Sequence, residues 1–253
     1  MGFHDPRLLP SSKLELRLNR QLSAYTKADP PPSRVGPATA NMLTLAFFFL
    51  LRPGEYAHTS NPDSSPFRLQ DVHLLVGCRS LPHLHCPQHE LYATTFACLE
   101  FTSQKNGVRG ELIGLGHSGN PAFCPIASLV NRIIHLQTHN APQMTPLYSY
   151  HTGSGWAAIT SSILTTTLRQ AVTAIGHNFG LSPHEISARS LRSSGAMALL
   201  CGNVDTDRIR LLGRWHSDEM LHYLHVQAFP VVATIASTML THGNFTLIPN
   251  TPH

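Results

Sequence analysis

The sequence predicts an α+β fold that is mostly helical and carries a small three-stranded antiparallel sheet. Apolar residues recur at helical spacing in several separate segments of the 253-residue chain. Residues 69–116 are instead rich in β-branched and aromatic residues and contain an Asn-Gly step, which is a strong hairpin signal. Because 42% of the residues are apolar, a chain of this length can bury one large core.

The first 33 residues differ in character from the rest. Leucines in residues 13–27 have a spacing compatible with a short helix, and the prolines at positions 30–32 then prevent its continuation, because proline lacks an N–H donor and fixes φ. We therefore expect residues 1–33 to contain the end of a preceding domain and a linker. Residues 34–253 are expected to form the main domain.

The main domain begins with a predicted buried helix over Pro37–Arg52, which is apolar on nearly every face. Pro53 and Gly54 are expected to end this helix. Arg52 would then occupy its C-terminal end, where the helix dipole favours a cation. Glu55 follows three residues later and is the expected partner of Arg52.

Strands are predicted at residues 69–77, 91–101 and 108–115, and the turn between the last two holds Lys105 at its tip. The segment Cys78–His89 is expected to be an ordinary connection between strands. Its cysteines and histidines lack the paired ligand spacing that zinc sites use, so the sequence predicts no metal site there.

Helices dominate the rest of the chain. Arg189 and Arg192 are three residues apart within one of these segments, so we expect them to share a helix face. The predicted helices are Cys124–Gln137, Thr160–Ile175, Ser187–Cys201, Thr206–Leu212, one that starts at Ser217, and Val231–Leu240.

Charge and cysteine usage limit the possible partners and compartments. The net charge is +4, and the basic residues are scattered arginines with lysines only at positions 13, 27 and 105, which is a weak indication of a polyanionic partner. The five cysteines form no CxxC pair, as is usual in a reducing compartment. The longest apolar run, Leu43–Leu51, is too short to span a bilayer, and no signal region is visible, so we expect an intracellular protein without a membrane partner.

Five side chains make chemical sense as one site for phosphodiester chemistry. Two guanidiniums can hold the non-bridging oxygens and stabilise the charge of the transition state. A phenol can attack phosphorus and form a covalent phosphotyrosyl link. A lysine can protonate the leaving sugar oxygen, and an indole N–H can donate to the phosphate. The candidates are Arg52, Lys105, Arg192, Trp215 and Tyr223.

The order and spacing of these residues resemble the catalytic domain of tyrosine recombinases, a phage-integrase-like family. The resemblance covers about residues 37–243. Leu51–Glu55 resembles the box with the first family arginine, and Arg189–Arg192 resembles the His-x-x-Arg or Lys-x-x-Arg box. The turn Gly213–Trp215 with Tyr223 is similar to the Crypton and DIRS-type recombinases of eukaryotic transposable elements.

The resemblance implies a tyrosine-recombinase catalytic domain that cleaves and rejoins double-stranded DNA without a cofactor or metal. Tyr223 would be the nucleophile, Lys105 the hairpin lysine, and Trp215 would fill the position of His or Trp. Glu55 would support the first arginine. It also implies a homo-oligomer on DNA, residues 1–33 as a remnant of the family's N-terminal core-binding domain, and a nuclear location if the source is eukaryotic.

The sequence departs from the family at Arg189, where the family has His or Lys. Arginine stays protonated and is a poor general base. The alternative is that Arg189 adds a third cation to the phosphate and that His216, His184 or His222 accepts the proton. Three alternatives stay open: a DNA-binding remnant with impaired catalysis, a zinc-linked interaction protein built on Cys78–His89, and a topoisomerase that also uses tyrosine.

Overall fold

The structure is a computed structural model that describes residues 35–82, 85–102, 110–175, 182–215, 220 and 239. Two short 3-10 turns, Leu69–Asp71 and Pro183–Glu185, join larger elements. The helices of the described residues are α1 (Val35–Phe48), α2 (Pro53–Tyr56), α3 (Gln88–Tyr92), α4 (Pro125–Thr138), α5 (Ser161–Ile175), α6 (Ser190–Cys201) and α7 (Thr206–Gly213). The strands are β1 (Val72–Val76), β2 (Arg79–Leu81), β3 (Phe96–Phe101), β4 (Glu111–Gly116), β5 (Ser149–His151) and β6 (Trp156–Ala158).

The predicted mixture of helices with an antiparallel sheet is confirmed, but the prediction of three strands was wrong. Within the described residues the main sheet has four strands in the order β2-β1-β3-β4, all antiparallel. The added strand is Arg79–Leu81, which the sequence placed in a connection. It has three residues, of which only Leu81 is buried, so it shows no alternation to detect. Strands β5 and β6 form a separate hairpin.

A two-residue turn explains how β2 joins the sheet. Val76 pairs with Arg79, so Gly77 and Cys78 form the turn between β1 and β2. Gly77 has φ of 58°, a left-handed conformation that glycine adopts without a Cβ clash. Glycine at the first central position is the signature of the type II′ hairpin turn, whose twist matches that of the strands it connects.

The core lies between the sheet and the long helices. Helix α1 is buried almost all round, as its continuous apolar sequence predicted, and it packs on α4 and α6. A second, smaller cluster lies where the end of α1 meets α6 and α7. It is formed by the buried side chains of Leu50, Ala196, Met197, Ile209, Trp215 and Met220. This second cluster adjoins the predicted functional residues.

Helix α1 ends earlier than the sequence predicts. It stops at Phe48, and Leu50 adopts a left-handed conformation with φ of 50°. The N–H of Leu51 then donates to the carbonyl of Ala46 at 3.0 Å, the bond that closes a Schellman motif. Arg52 is therefore not in the last turn of α1. It lies outside that helix, at the N-cap of α2.

Two further findings concern membranes and metals. None of the helices in the described ranges is long and apolar enough to cross a membrane. The described residues also contain no cluster of three His, Cys, Asp or Glu side chains that could hold a metal ion. The five cysteines, all within the described residues, form no disulfide bond, and Cys86 and Cys124 are buried.

Candidate functional site

Glu55 is the centre of the charged network around Arg52. One carboxylate oxygen, Oε2, accepts the backbone N–H of Arg52 at 2.7 Å, and the other accepts Nη1 of Arg52 at 3.2 Å. The predicted pairing of Arg52 with Glu55 is therefore present. Pro53 at the first position of α2 and Glu55 at the third make this a short capped turn, which fixes the direction in which Arg52 leaves the backbone.

Arg52 and Arg189 line the same pocket, which has a volume of about 540 Å³. Its wall is rich in hydroxyl groups, from Thr59, Ser60, Ser64, Ser161, Thr165 and Ser187. Guanidinium groups and hydroxyls are both donors that suit a phosphate oxygen. Glu55 and Asp63 also line the pocket, but the carboxylate of Glu55 is already occupied by arginine donors. The pocket thus holds two arginine side chains and several hydroxyl donors, together with the carboxylate of Asp63.

Hydrogen bonds to Ile186 and Ala188, in the segment before α6, fix the position of the backbone at Arg189. The backbone N–H of Ala188 donates to Oγ1 of Thr165 at 3.1 Å, and the hydroxyl of Tyr56 donates to the carbonyl of Ala188 at 2.9 Å. Burial raises the pKa of Tyr56, so its hydroxyl stays a donor. Arg169 completes the anchor by donating from Nε to the carbonyl of Ile186 at 3.0 Å.

Arg192 does not line this pocket. It is 6% exposed, and its Nη1 donates to the carbonyl of Leu50 at 2.5 Å while Nη2 donates to the carbonyl of Gly213. The guanidinium carbon lies 4.1 Å from the ring centroid of Trp215. Arg189 and Arg192 were expected to share a helix face, but they differ in surroundings: Arg189 is exposed at the N-cap of α6 and lines the pocket, whereas Arg192 is buried.

Two groups of predicted residues therefore emerge. Arg52, Glu55 and Arg189 meet at the pocket. Arg192 instead packs its guanidinium on the indole of Trp215, which belongs to the smaller cluster.

Sequence reasoning gave no role to Arg214, which the structure places at the junction of these two groups. Its side chain is fully buried, and Nη2 lies 3.0 Å from Oε2 of Glu55. The same guanidinium donates to the carbonyls of Phe49, Leu50 and Leu212 and lies over the ring of Phe101. Burial lowers the pKa of Arg214 to about 10, although Glu55 opposes that shift. No local signal could have found this pair, because 159 residues separate its members.

The other predicted site residues lie outside the described residues. These are the hairpin lysine Lys105, the nucleophile Tyr223, and the candidate proton acceptors His216 and His222. His184, the remaining candidate acceptor, is exposed on the 3-10 turn before α6.

Comparison of the chain with protein-family models, with curated proteins and with solved structures gives no match.

Proposed function

We propose that the protein cleaves and rejoins DNA strands through a 3′-phosphotyrosyl intermediate, as tyrosine recombinases do. The observation that carries the proposal is the hydroxyl-rich pocket lined by Arg52 and Arg189. Two guanidiniums can grip the non-bridging oxygens of one phosphodiester and stabilise the charge that builds up during displacement at phosphorus. The ordered sequence motifs supply the nucleophile and the acid.

In this proposal a different side chain carries out each chemical step. The phenol oxygen of Tyr223 attacks phosphorus and forms a phosphotyrosyl bond, while the bond to the 5′ oxygen of the next nucleotide breaks. Lys105 gives a proton to that leaving oxygen. A histidine such as His216 accepts the proton of the phenol, because Arg189 stays protonated and serves as a phosphate donor instead. Double-stranded DNA is the substrate.

Arg192 and Trp215 do not line the pocket, and in this proposal they stabilise the backbone that leads to it. Arg192 holds the carbonyl of Leu50, two residues before Arg52, and packs against the indole of Trp215. In this assignment the guanidinium of Arg192 organises the segment that carries Arg52.

The proposal is tested with nicked DNA that traps a covalent intermediate. The protein is incubated with a pool of nicked duplexes of randomised sequence and run on a denaturing gel. We expect a protein–DNA adduct that Tyr223→Phe abolishes. Tyr150→Phe, on the small β5-β6 hairpin, is the matched control and should leave the adduct intact. An intact protein that binds the pool and forms no adduct would contradict strand transfer.

A second candidate function is DNA binding without turnover. Its specific support is the burial of Arg192, both of whose terminal nitrogens donate to main-chain carbonyls, together with arginine at position 189. A remnant of this kind would bind DNA with an affinity that falls as salt rises, because bound phosphates release counterions. It would give no adduct with any duplex in the pool, and a single observed strand exchange would exclude it.

A further inference from the structure

We propose that Arg214 is a positioning residue that holds Arg52 in the pocket, an inference that rests on the proposed function. Arg214 is fully buried and does not itself line the pocket. It acts on Arg52 along two routes, one through a carboxylate and one through the backbone.

The first route runs through Glu55. The oxygen Oε2 of Glu55 accepts both the backbone N–H of Arg52, at 2.7 Å, and Nη2 of Arg214, at 3.0 Å. The second oxygen accepts Nη1 of Arg52. One carboxylate thus links a buried guanidinium to a half-buried one. Because the buried guanidinium is itself held by main-chain carbonyls, it fixes the carboxylate, and the carboxylate fixes the guanidinium of Arg52.

The second route runs through the main chain at the end of α1. Arg214 donates to the carbonyls of Phe49 and Leu50, each at 3.3 Å. Leu50 is left-handed, a conformation that costs a non-glycine residue free energy and persists only where the surroundings impose it. Arg192 donates to the same carbonyl of Leu50. Two guanidiniums therefore hold the turn that leads into Arg52.

Arg132 shows what a buried arginine without this linkage looks like. It is 2% exposed and donates to the carbonyls of Leu147 and Ser149. Burial lowers its pKa to about 10, as it does for Arg214. Arg132 does not line the pocket, so it is a matched control for loss of a buried guanidinium.

The test measures how duplex DNA binding depends on salt, by fluorescence anisotropy with a labelled duplex. Each lost phosphate contact flattens the plot of log K against log salt by roughly 0.9. We expect Arg52→Gln to flatten it by that amount, and Arg214→Gln to do the same although Arg52 is still present. The plot for the double variant should be no flatter than the plot for Arg52→Gln alone, because both substitutions remove the same phosphate contact.

Glu55→Gln provides a second variant if Arg214→Gln does not fold. Loss of a negative charge alone would strengthen DNA binding. A flatter salt dependence in Glu55→Gln would therefore report a misplaced Arg52. Arg132→Gln should lower the melting temperature and leave the salt slope unchanged.

The outcomes separate this inference from the proposed function. If wild-type protein binds DNA and both Arg214→Gln and Glu55→Gln keep its slope, or if the double variant is additive, the positioning role of Arg214 is overturned. If the wild-type protein binds DNA and the variants give the expected salt slopes, but no adduct forms, the positioning role stands and strand transfer fails. If wild-type protein binds no DNA, both are overturned.

Discussion

Arg192 donates from Nη1 to the carbonyl oxygen of Leu50 at 2.5 Å, across 142 residues of sequence. Its Nη2 donates to the carbonyl of Gly213, and its guanidinium stacks on Trp215. One side chain of α6 therefore joins the end of α1 to the end of α7. The sequence motifs present Arg192 as a phosphate ligand, and in this structure its side chain connects α6 to the ends of α1 and α7.

Arg192→Lys is expected to destabilise the fold markedly. A lysine ammonium can replace one of the two carbonyl contacts but not both, and it loses the planar stack on Trp215. Hydrogen bonds from charged groups and a desolvated cation–π contact together amount to about 2–4 kcal/mol. Urea unfolding at constant m-value measures the change. Arg189→Lys, at an exposed position, should shift the free energy of unfolding by less than about 0.5 kcal/mol. If both substitutions change the free energy of unfolding equally, Arg192 does not hold these helices together.

Gly195→Ala should also destabilise the protein, by overpacking the contact between α1 and α6. A Cβ at position 195 would collide with the carbonyl oxygen of Phe47 and with a methyl group of Leu50. Forced shifts of this kind cost about 1–3 kcal/mol, and alanine recovers only about 1 kcal/mol through helix propensity.

The control for this prediction is Gly116→Ala, at the end of β4, where an added Cβ meets nothing within 4 Å. Thermal unfolding of the two variants should show a lower melting temperature for Gly195→Ala only. If Gly195→Ala has the same melting temperature as the wild type, the close approach of α1 and α6 is not required for stability.

Periodicity predicted the long helices, and the observed ends of α4, α5 and α7 lie within one residue of the predicted ones, but it predicted neither the short helices α2 and α3 nor the end of α1. The end of α1 shows why, since a sequence with Pro53 and Gly54 predicts a stop at those residues. The helix stops earlier because Leu50 takes a left-handed conformation that leucine does not favour on its own. Contacts from Arg192 and Arg214 hold its carbonyl, and both lie more than 140 residues away. Tertiary contacts decide this boundary.

In the candidate site, too, local contacts could be predicted from the sequence and long-range contacts could not. The pairing of Arg52 with Glu55 is local, three residues apart, and was predictable from spacing. The contact of Glu55 with Arg214, and the meeting of Arg52 with Arg189 at one pocket, depend on how distant segments pack. Spacing placed Arg189 and Arg192 on one helix face, but it could not show that Arg189 is exposed at the pocket while Arg192 is buried against distant segments.

Asp205→Ala should weaken α7, the helix that carries Gly213 and Arg214 at its end. The carboxylate of Asp205 caps the helix by accepting the N–H groups of Asp207 and Arg208, at 2.9 and 3.3 Å. Loss of such a cap costs about 1 kcal/mol. Asp205→Asn retains an acceptor and should cost only a fraction of that. Chemical denaturation of both variants tests this, and equal losses for alanine and asparagine would rule out the capping role.

The last prediction concerns the thiol of Cys124, which lies 3.3 Å from Nδ1 of His117 at the start of α4. The other ring nitrogen, Nε2, is 2.8 Å from the carbonyl of Thr94 and must carry a proton to donate to it. Burial raises the pKa of Cys124, but hydrogen bonds from the backbone of Ala127 and Ser118 and from His117 outweigh it, so that its pKa is lowered. The hydrogen bond to Cys124 in turn raises the pKa of His117. Thiolate and imidazolium stabilise each other.

His117→Gln should therefore raise the pKa of Cys124. The ultraviolet absorbance of the thiolate measures this in a Cys78→Ser/Cys201→Ser background, where Cys86 and Cys98 also remain. Burial is the main cause that raises the pKa of both of these thiols, so the first thiolate step on increasing pH belongs to Cys124. That step should disappear in Cys124→Ser and move to higher pH in His117→Gln. A first step that stays at the same pH without His117 would show that the backbone donors at the helix start, rather than the imidazole, stabilise the thiolate.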